Sequence, residues 1–278
     1  MMALIPNQVP RDDLLNAITL SSVTRHGAKL VLLIVSPLLA VDFVGVNGVL
    51  TLSAIFYVIS TAQMSRVRTV SCGESQPQHG TVRGILDGLV HIYTHRAIAL
   101  FVVLVAFHCA LTMSFDSLLP VFSRETLGAQ DGAILGYLVL GFGAGALVGT
   151  LLMAGVRSEQ RKGQLLLWTA LASGFTPMLL AISGNLSLAV LAAAGMGASQ
   201  APFMALTSTY IQSLAPDRLR GRIASLYLLH AGGIMAFSNL SYGFIADALS
   251  APPILFVTGA LFVAVLFGLS AGQPVLRH

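Results

Sequence analysis

The sequence contains little charge for its length. Only 9% of its 278 residues are Asp, Glu, Lys or Arg, whereas soluble domains contain about 25%. So few charges cannot cover a water-facing surface, which excludes an ordinary soluble domain. The net charge of +4 does not predict nucleic acid as a partner, because the cations lie in short groups between apolar segments and form no basic tract.

Cysteine and catalytic motifs are also scarce. The two cysteines, Cys72 and Cys109, stand in no CxxC arrangement, so neither a disulfide framework nor a thiolate metal site is predicted. There is no HExxH helix, Walker glycine loop or GxSxG elbow, and we therefore predict no cofactor and no enzyme. Residues 1–13 lack the apolar core of a signal peptide, and none is expected.

Eight apolar segments dominate the chain, most of them near the roughly 18 or more residues that a helix needs to cross a bilayer. The first is short, but Asn16 to Lys29 is compatible with helix and extends it. The sequence therefore predicts an all-α integral membrane protein with eight transmembrane helices. The segments run approximately Ala28–Phe43, Val46–Ala62, Ala97–Leu119, Ala133–Val156, Gln164–Ile182, Leu186–Tyr210, Ile223–Ala246 and Pro252–Ser270.

Positive charge is distributed unequally between the two sides of these segments. Fourteen of the fifteen Lys and Arg residues lie in alternate gaps, and only Arg124 lies on the other side. Cationic loops stay in the cytoplasm, so we expect a multi-pass protein with both termini cytoplasmic. The fourteen cations are Arg11, Arg25, Lys29, Arg66, Arg68, Arg83, Arg96, Arg157, Arg161, Lys162, Arg218, Arg220, Arg222 and Arg277.

One long polar break divides the chain into residues 1–64, 65–96 and 97–278. It begins as a linker and becomes amphipathic over Val82–Arg96, where Ile85, Leu89 and Ile92 share one helical face. We predict a helix that lies on the cytoplasmic leaflet. His91 and His95 have the spacing of a two-histidine metal site, but a third ligand is lacking and a cationic interfacial helix is a sufficient explanation, so no metal is predicted.

The fourth span carries Gly141, Gly145 and Gly149, which recur every four residues and form a smooth helix face. Helices in lipid associate by close backbone approach at such faces. The face is compatible with ordinary helix packing and with a surface on which a moving helix slides.

The segment from Pro216 to Tyr227 reads Pro-Asp-Arg-Leu-Arg-Gly-Arg-Ile-Ala-Ser-Leu-Tyr. It resembles the loop between the tenth and eleventh helices of the major facilitator superfamily, and more narrowly of its transmembrane secretion effectors, a branch that includes siderophore exporters. Leu119–Gly128, the glycines of span four and the start at Val9–Ala17 match too. The stretch after Val9 also resembles the stretch after Ala215, as expected of transporters built from repeated halves.

The resemblance implies two six-helix halves joined by a cytoplasmic linker, with the eight spans corresponding to helices five to twelve. The expected fold is then incomplete, with two helices of the N-terminal half and a six-helix C-terminal half. Gly155–Lys162 lacks the complete loop signature of the family. The implied function is a proton-coupled exporter of small drug-like or siderophore-like molecules in a bacterial inner membrane. The alternative is a non-transporting remnant, or a membrane-embedded subunit whose missing helices come from a second chain.

Ionisable and polar residues at membrane depth are costly and therefore candidates for function. His108 and Asp116 lie eight residues apart, which permits a shared helix face and a proton relay; the alternative is packing for His108 and a water interface for Asp116. Three uncharged residues are further candidates, and the alternatives for them are lining a transport path and bonding between helices. They are Gln200, Tyr210 and Asn239. For a set of charged residues near helix starts, the alternatives are a cytoplasmic gate closed by ion pairs and a role in topology. These gate candidates are Arg25, Asp217, Arg218, Arg220 and Arg222.

Overall fold

The structure is a computed structural model that describes residues 16–20, 45–65, 81–130, 132–156, 158–216 and 219–271. Within these ranges all regular structure is helical, and no strand occurs. Residues 16–20 are helical, and nine longer helices follow. They are α1 (Gly45–Ser65), α2 (Thr81–Thr94), α3 (Arg96–His108, continued by a π-helical turn, Cys109–Met113), α4 (Leu119–Glu125), α5 (Ala133–Met153), α6 (Glu159–Ala181), α7 (Leu186–Leu214), α8 (Arg220–Leu249) and α9 (Ala251–Ala271).

Six helices of the described chain are long and apolar enough to cross a membrane: α3 with its π-helical turn, and α5 to α9. They confirm six of the eight predicted spans by length and composition. The second predicted span corresponds to α1, whose apolar part, Leu50–Gln63, is shorter. The first, Ala28–Phe43, lies outside the described residues. The third was predicted to run unbroken to Leu119, but its helix ends at Met113 and α4 begins only at Leu119.

The starts of the first, third and fifth of the six spans carry most of the described cations, which lie at one end of the bundle, whereas Arg124 lies in α4 at the other end. The basic end is defined by Arg96, Arg161, Lys162, Arg220 and Arg222, which lie at the starts of α3, α6 and α8. At the same end, the amphipathic helix predicted over Val82–Arg96 is present as α2 and leads directly into α3. Its Ile92 is fully buried, whereas Ile85 is 49% exposed, so only part of the predicted apolar face packs inward.

Among the described helices, the contact between α5 and α7 is the most extensive. A Cβ atom built at any of Gly141, Gly145 and Gly149 would meet a backbone carbonyl oxygen of α7. The oxygens are those of Val190, Ala194 and Ala198, and in return Gly197 of α7 faces the carbonyl of Phe142. Glycine is required here because backbone lies against backbone, a geometry in which Cα–H groups also contact carbonyl oxygens.

A second glycine contact joins α6 to α9. A Cβ at Gly259 would lie 2.5 Å from the carbonyl oxygen of Gly174, and one at Gly174 would lie 2.5 Å from Val263 Cγ2. Since α6 also packs extensively on α7, the order α5, α7, α6, α9 forms a continuous row of closely packed helices. Within this row α7 is the most buried span.

We expect Gly145→Ala to destabilise the protein by about 1–3 kcal/mol, because the new methyl group must push the backbones of α5 and α7 apart. Gly136→Ala on the same helix is the matched control, since a Cβ at Gly136 meets nothing within 4 Å. Unfolding of the two purified variants in detergent, followed by circular dichroism, measures the difference. Equal stability of Gly145→Ala and Gly136→Ala would contradict the contact.

Candidate functional site

A layer of buried polar residues separates two apolar clusters of the bundle. One cluster contains Ala170, Phe203 and Phe262, and the other contains Leu180 and Met196. Along α6, α7 and α9, a polar side chain stands between residues of the two clusters. The buried members of this polar layer are His108, Thr112, Ser173, Ser199, Gln200 and Thr258.

The π-helical turn of α3 lies in this layer, and side chains bond its carbonyl groups. Gln200 Nε2 on α7 donates to the Thr112 carbonyl at 3.0 Å, and Tyr242 Oη on α8 donates to the Ala110 carbonyl at 2.7 Å. Ser114 Oγ donates to the Cys109 carbonyl at 2.7 Å. A backbone carbonyl without a donor costs several kcal/mol in lipid. The irregular turn is therefore stabilised by bonds from two other helices.

His108 is fully buried immediately before this turn. Its Nε2 shares a 2.7 Å hydrogen bond with Ser173 Oγ on α6. Its ring lies against Phe203, with ring centroids 4.2 Å apart, and against Phe262, at 5.3 Å. Nδ1 is buried and has no hydrogen-bond partner among the described residues. A neutral imidazole has one donor and one acceptor nitrogen, so one of its two bonding positions is unused.

Prolines interrupt two further helices at the same layer. Pro177 in α6 and Pro202 in α7 have no N–H group, so the carbonyls of Ser173 and Ala198 cannot accept their usual helical bond. Two residues before Pro202, Gln200 keeps its Oε1 buried without a donor in the described part of the chain. Three helices therefore lose regular hydrogen bonding where the polar side chains meet.

The structure separates three of the predicted path residues from His108. Asp116 is exposed in the turn before α4, and the hydrogen bond of His108 goes to Ser173. Asn239 Oδ1 accepts from the backbone N–H of Ser117 at 3.4 Å. Tyr210 lies near the basic end, where its ring stacks on Phe101 with centroids 5.3 Å apart. Of the five candidates, the polar layer brings together His108 and Gln200, and Asn239 borders it.

Two of the gate candidates are described. Arg220 is 8% exposed and its Nε donates to the Gln212 carbonyl at 3.2 Å, whereas Arg222 is exposed. Arg25, Asp217 and Arg218 lie outside the described residues.

The sequence reasoning missed Ser173 and the buried Lys162, which pairs with Glu159 at 2.7 Å. The signal that could have identified Ser173 is Pro177, four residues later in the same span, because a proline inside a helix leaves the carbonyl four residues before it without a helical donor. In the described ranges no three His, Cys, Asp or Glu residues come together to hold a metal ion.

We expect Tyr242→Phe to lower the free energy of unfolding by about 0.5–2 kcal/mol, because the Ala110 carbonyl loses a donor from another helix. Tyr137→Phe, at an exposed position of α5, is the control. Amide hydrogen exchange over residues 109–114 should be faster in Tyr242→Phe than in the native chain, and it should be unchanged in Tyr137→Phe. Unchanged exchange there would show that the hydroxyl group does not hold the π-helical turn.

Comparison with known proteins agrees with this architecture. The family model described as transmembrane secretion effector matches residues 1–275. No curated protein matches the chain. The match covers nearly the whole sequence and accords with the six apolar helices, and it indicates a membrane transporter rather than an enzyme. The chain belongs to the transmembrane secretion effector family of the major facilitator superfamily.

Proposed function

We propose that this membrane transporter exports small molecules across a bacterial cytoplasmic membrane in exchange for protons, and that the polar layer lines its path. The supporting observation is the loss of regular helical bonding in α3, α6 and α7 where His108, Ser173 and Gln200 lie. Secondary transporters bind substrates near the membrane midplane at interrupted helices. Gln200 stands at the midpoint of α7, which spans Leu186–Leu214.

The proton carrier in this proposal is His108. A polar group buried in a membrane protein is retained at a cost, which favours a functional role, and its Nδ1 is not engaged by the described residues. Asp116 is exposed beyond the π-helical turn and does not bond this imidazole, so in this proposal water carries protons between the two residues. The contact of α5 with α7 supplies a smooth surface for the helix movement that alternating access requires.

The basic end is assigned to the cytoplasm, because cationic loops are retained there. With Cys72→Ser in the background, we expect Ser158→Cys, at the basic end, to react with a membrane-impermeant maleimide only in inverted vesicles. Gly184→Cys, in the exposed turn before α7, should react only in right-side-out vesicles. Labelling of the two positions from the reverse sides would overturn the orientation.

Efflux of ethidium and of Hoechst 33342 tests the transport proposal in cells that lack their own multidrug pumps. We expect the chain to lower dye accumulation and Gln200→Leu to reduce this efflux at least tenfold. Tyr137→Phe should transport like the native chain, because its side chain is exposed on α5, a helix that contributes no residue to the polar layer. Cells that express the native chain but accumulate dye like empty cells favour the alternative of a non-transporting protein.

The proton carrier requires a separate comparison. The double variant Asp116→Asn with His108→Ala should abolish the dependence of efflux on the pH gradient. Efflux that keeps its pH dependence in this double variant would remove the relay and leave the transport proposal standing.

A further inference from the structure

Helix α2 has an apolar side that the bundle does not cover. Its packed side carries Gly88 and Ile92, which are buried, and a Cβ at Gly88 would lie 2.9 Å from Leu226 Cδ1 on α8. At about 100° per residue, the outer apolar residues lie roughly 100° or more from both of these. They are each more than half exposed and fall within about 60° of one another around the helix axis. These residues, the outer apolar side of α2, are Leu86, Val90 and Tyr93.

The remaining side of α2 is polar. Asp87 and Thr94 are exposed there, about 20° from each other around the helix axis at 100° per residue. Helix α2 therefore presents one side to the bundle, one apolar side outward and one polar side outward. A helix with separate apolar and polar sides lies where the acyl chains of a bilayer meet water. The position of α2 at the basic end, next to the starts of α3 and α8, fits that boundary.

Tyr93 joins the outer apolar side of α2 to α8. On α8, His230 Nδ1 lies 2.7 Å from the Leu226 carbonyl oxygen, and a carbonyl oxygen can only accept, so Nδ1 donates. In the neutral ring Nε2 is then the acceptor, and Tyr93 Oη donates to it at 3.1 Å. The hydroxyl group of Tyr93 is thus held by α8 while its ring is exposed. Tyrosine is enriched at the head-group level of membranes, where one end of the ring is apolar and the other is polar.

Two cations lie beside α2. Arg222 on α8 lies where the two helices cross, because its Cβ is 3.5 Å from the position of a Cβ at Gly88, and Arg96 lies two residues after α2 ends. Both side chains are exposed, and neither forms an ion pair with a carboxylate of the described ranges. Cations near the surface of a leaflet attract anionic lipids, and the guanidinium group matches the geometry of a phosphate. Charge therefore favours an anionic lipid over a zwitterionic one at this place.

We propose that α2 and the start of α8 form a binding surface for anionic phospholipid in the leaflet at the basic end. The acyl chains cover the outer apolar side of α2, and the head-group phosphates bind Arg96 and Arg222. The polar side with Asp87 stays in water. Lipid binding of this kind does not require transport, so the proposal is independent of the proposed function.

Tryptophan fluorescence tests where each side of α2 lies. Trp168 is the only tryptophan of the chain and is exposed on α6, so Trp168→Phe provides a background without signal. The full chain is reconstituted in vesicles of equal parts phosphatidylcholine and phosphatidylglycerol. We expect Val90→Trp to be quenched by lipid brominated near the glycerol end of its acyl chains, and Leu86→Trp to behave alike. Asp87→Trp, the matched control, should be quenched instead by iodide present on both sides of the membrane.

The choice of lipid is tested by comparing brominated phosphatidylglycerol with brominated phosphatidylcholine. Titration of Val90→Trp should give an association constant about fivefold higher for phosphatidylglycerol, the factor that one cation close to the leaflet supplies. Arg96→Gln combined with Arg222→Gln should remove this preference. Arg124→Gln, which removes an exposed cation from the other end of the bundle, should keep it.

Four results would overturn the proposal. Quenching of Val90→Trp by iodide rather than by brominated lipid would place the outer apolar side of α2 in water. Protection from both quenchers would mean that another protein chain covers it. Equal association constants for the two lipids would show that the cations do not select the head group, and so would a preference that survives the double arginine variant.

Discussion

The contact between the glycines of α5 and the carbonyls of α7 determines where the other elements of the bundle lie. It brings backbone against backbone over two helical turns, from Gly141 to Gly149, and no larger residue permits that distance. The same contact reaches the interruption in α7. Pro202 deprives the Ala198 carbonyl of its helical donor, and this carbonyl faces Gly149. The glycines of α5 therefore cover a backbone carbonyl that has lost its helical donor and that the bilayer could not satisfy.

From α7 the order continues into α3 through hydrogen bonds. Gln200 on α7 bonds the Thr112 carbonyl, Tyr242 on α8 bonds the Ala110 carbonyl, and Ser173 on α6 bonds His108. Each bond joins the irregular part of α3 to a different helix. A displacement of any of the three helices must therefore break or carry along a bond at this turn. Hydrogen-bond networks that join several helices can carry coupling between them, which suits a transporter whose helices shift around a central site.

The spans and the glycine surface were predictable because their causes are local: apolar length, charge at span ends and a four-residue spacing. The π-helical turn was not predictable in this way. The side chains that stabilise it, Gln200 and Tyr242, lie 88 and 132 residues from the carbonyls they bond. The proposed alignment of His108 with Asp116 assumed 100° per residue throughout. A π-helical turn inserts an extra residue into the helix, and the helix then ends at Met113, so the assumed spacing fails between these two residues.

Two buried glutamines on α7 have the same hydrogen-bonding state at different depths. In both Gln200 and Gln212 the Nε2 atom donates within the protein while Oε1 is buried without a donor from the described residues. Twelve residues at 100° each place them about 120° apart around the helix axis, one beside α3 and the other beside α8. A protein that retains two unpaired acceptors loses stability at each. Because Gln200 bonds the Thr112 carbonyl of α3 whereas Gln212 bonds Ser208 of its own helix, only at Gln200 is this cost offset by a bond between helices.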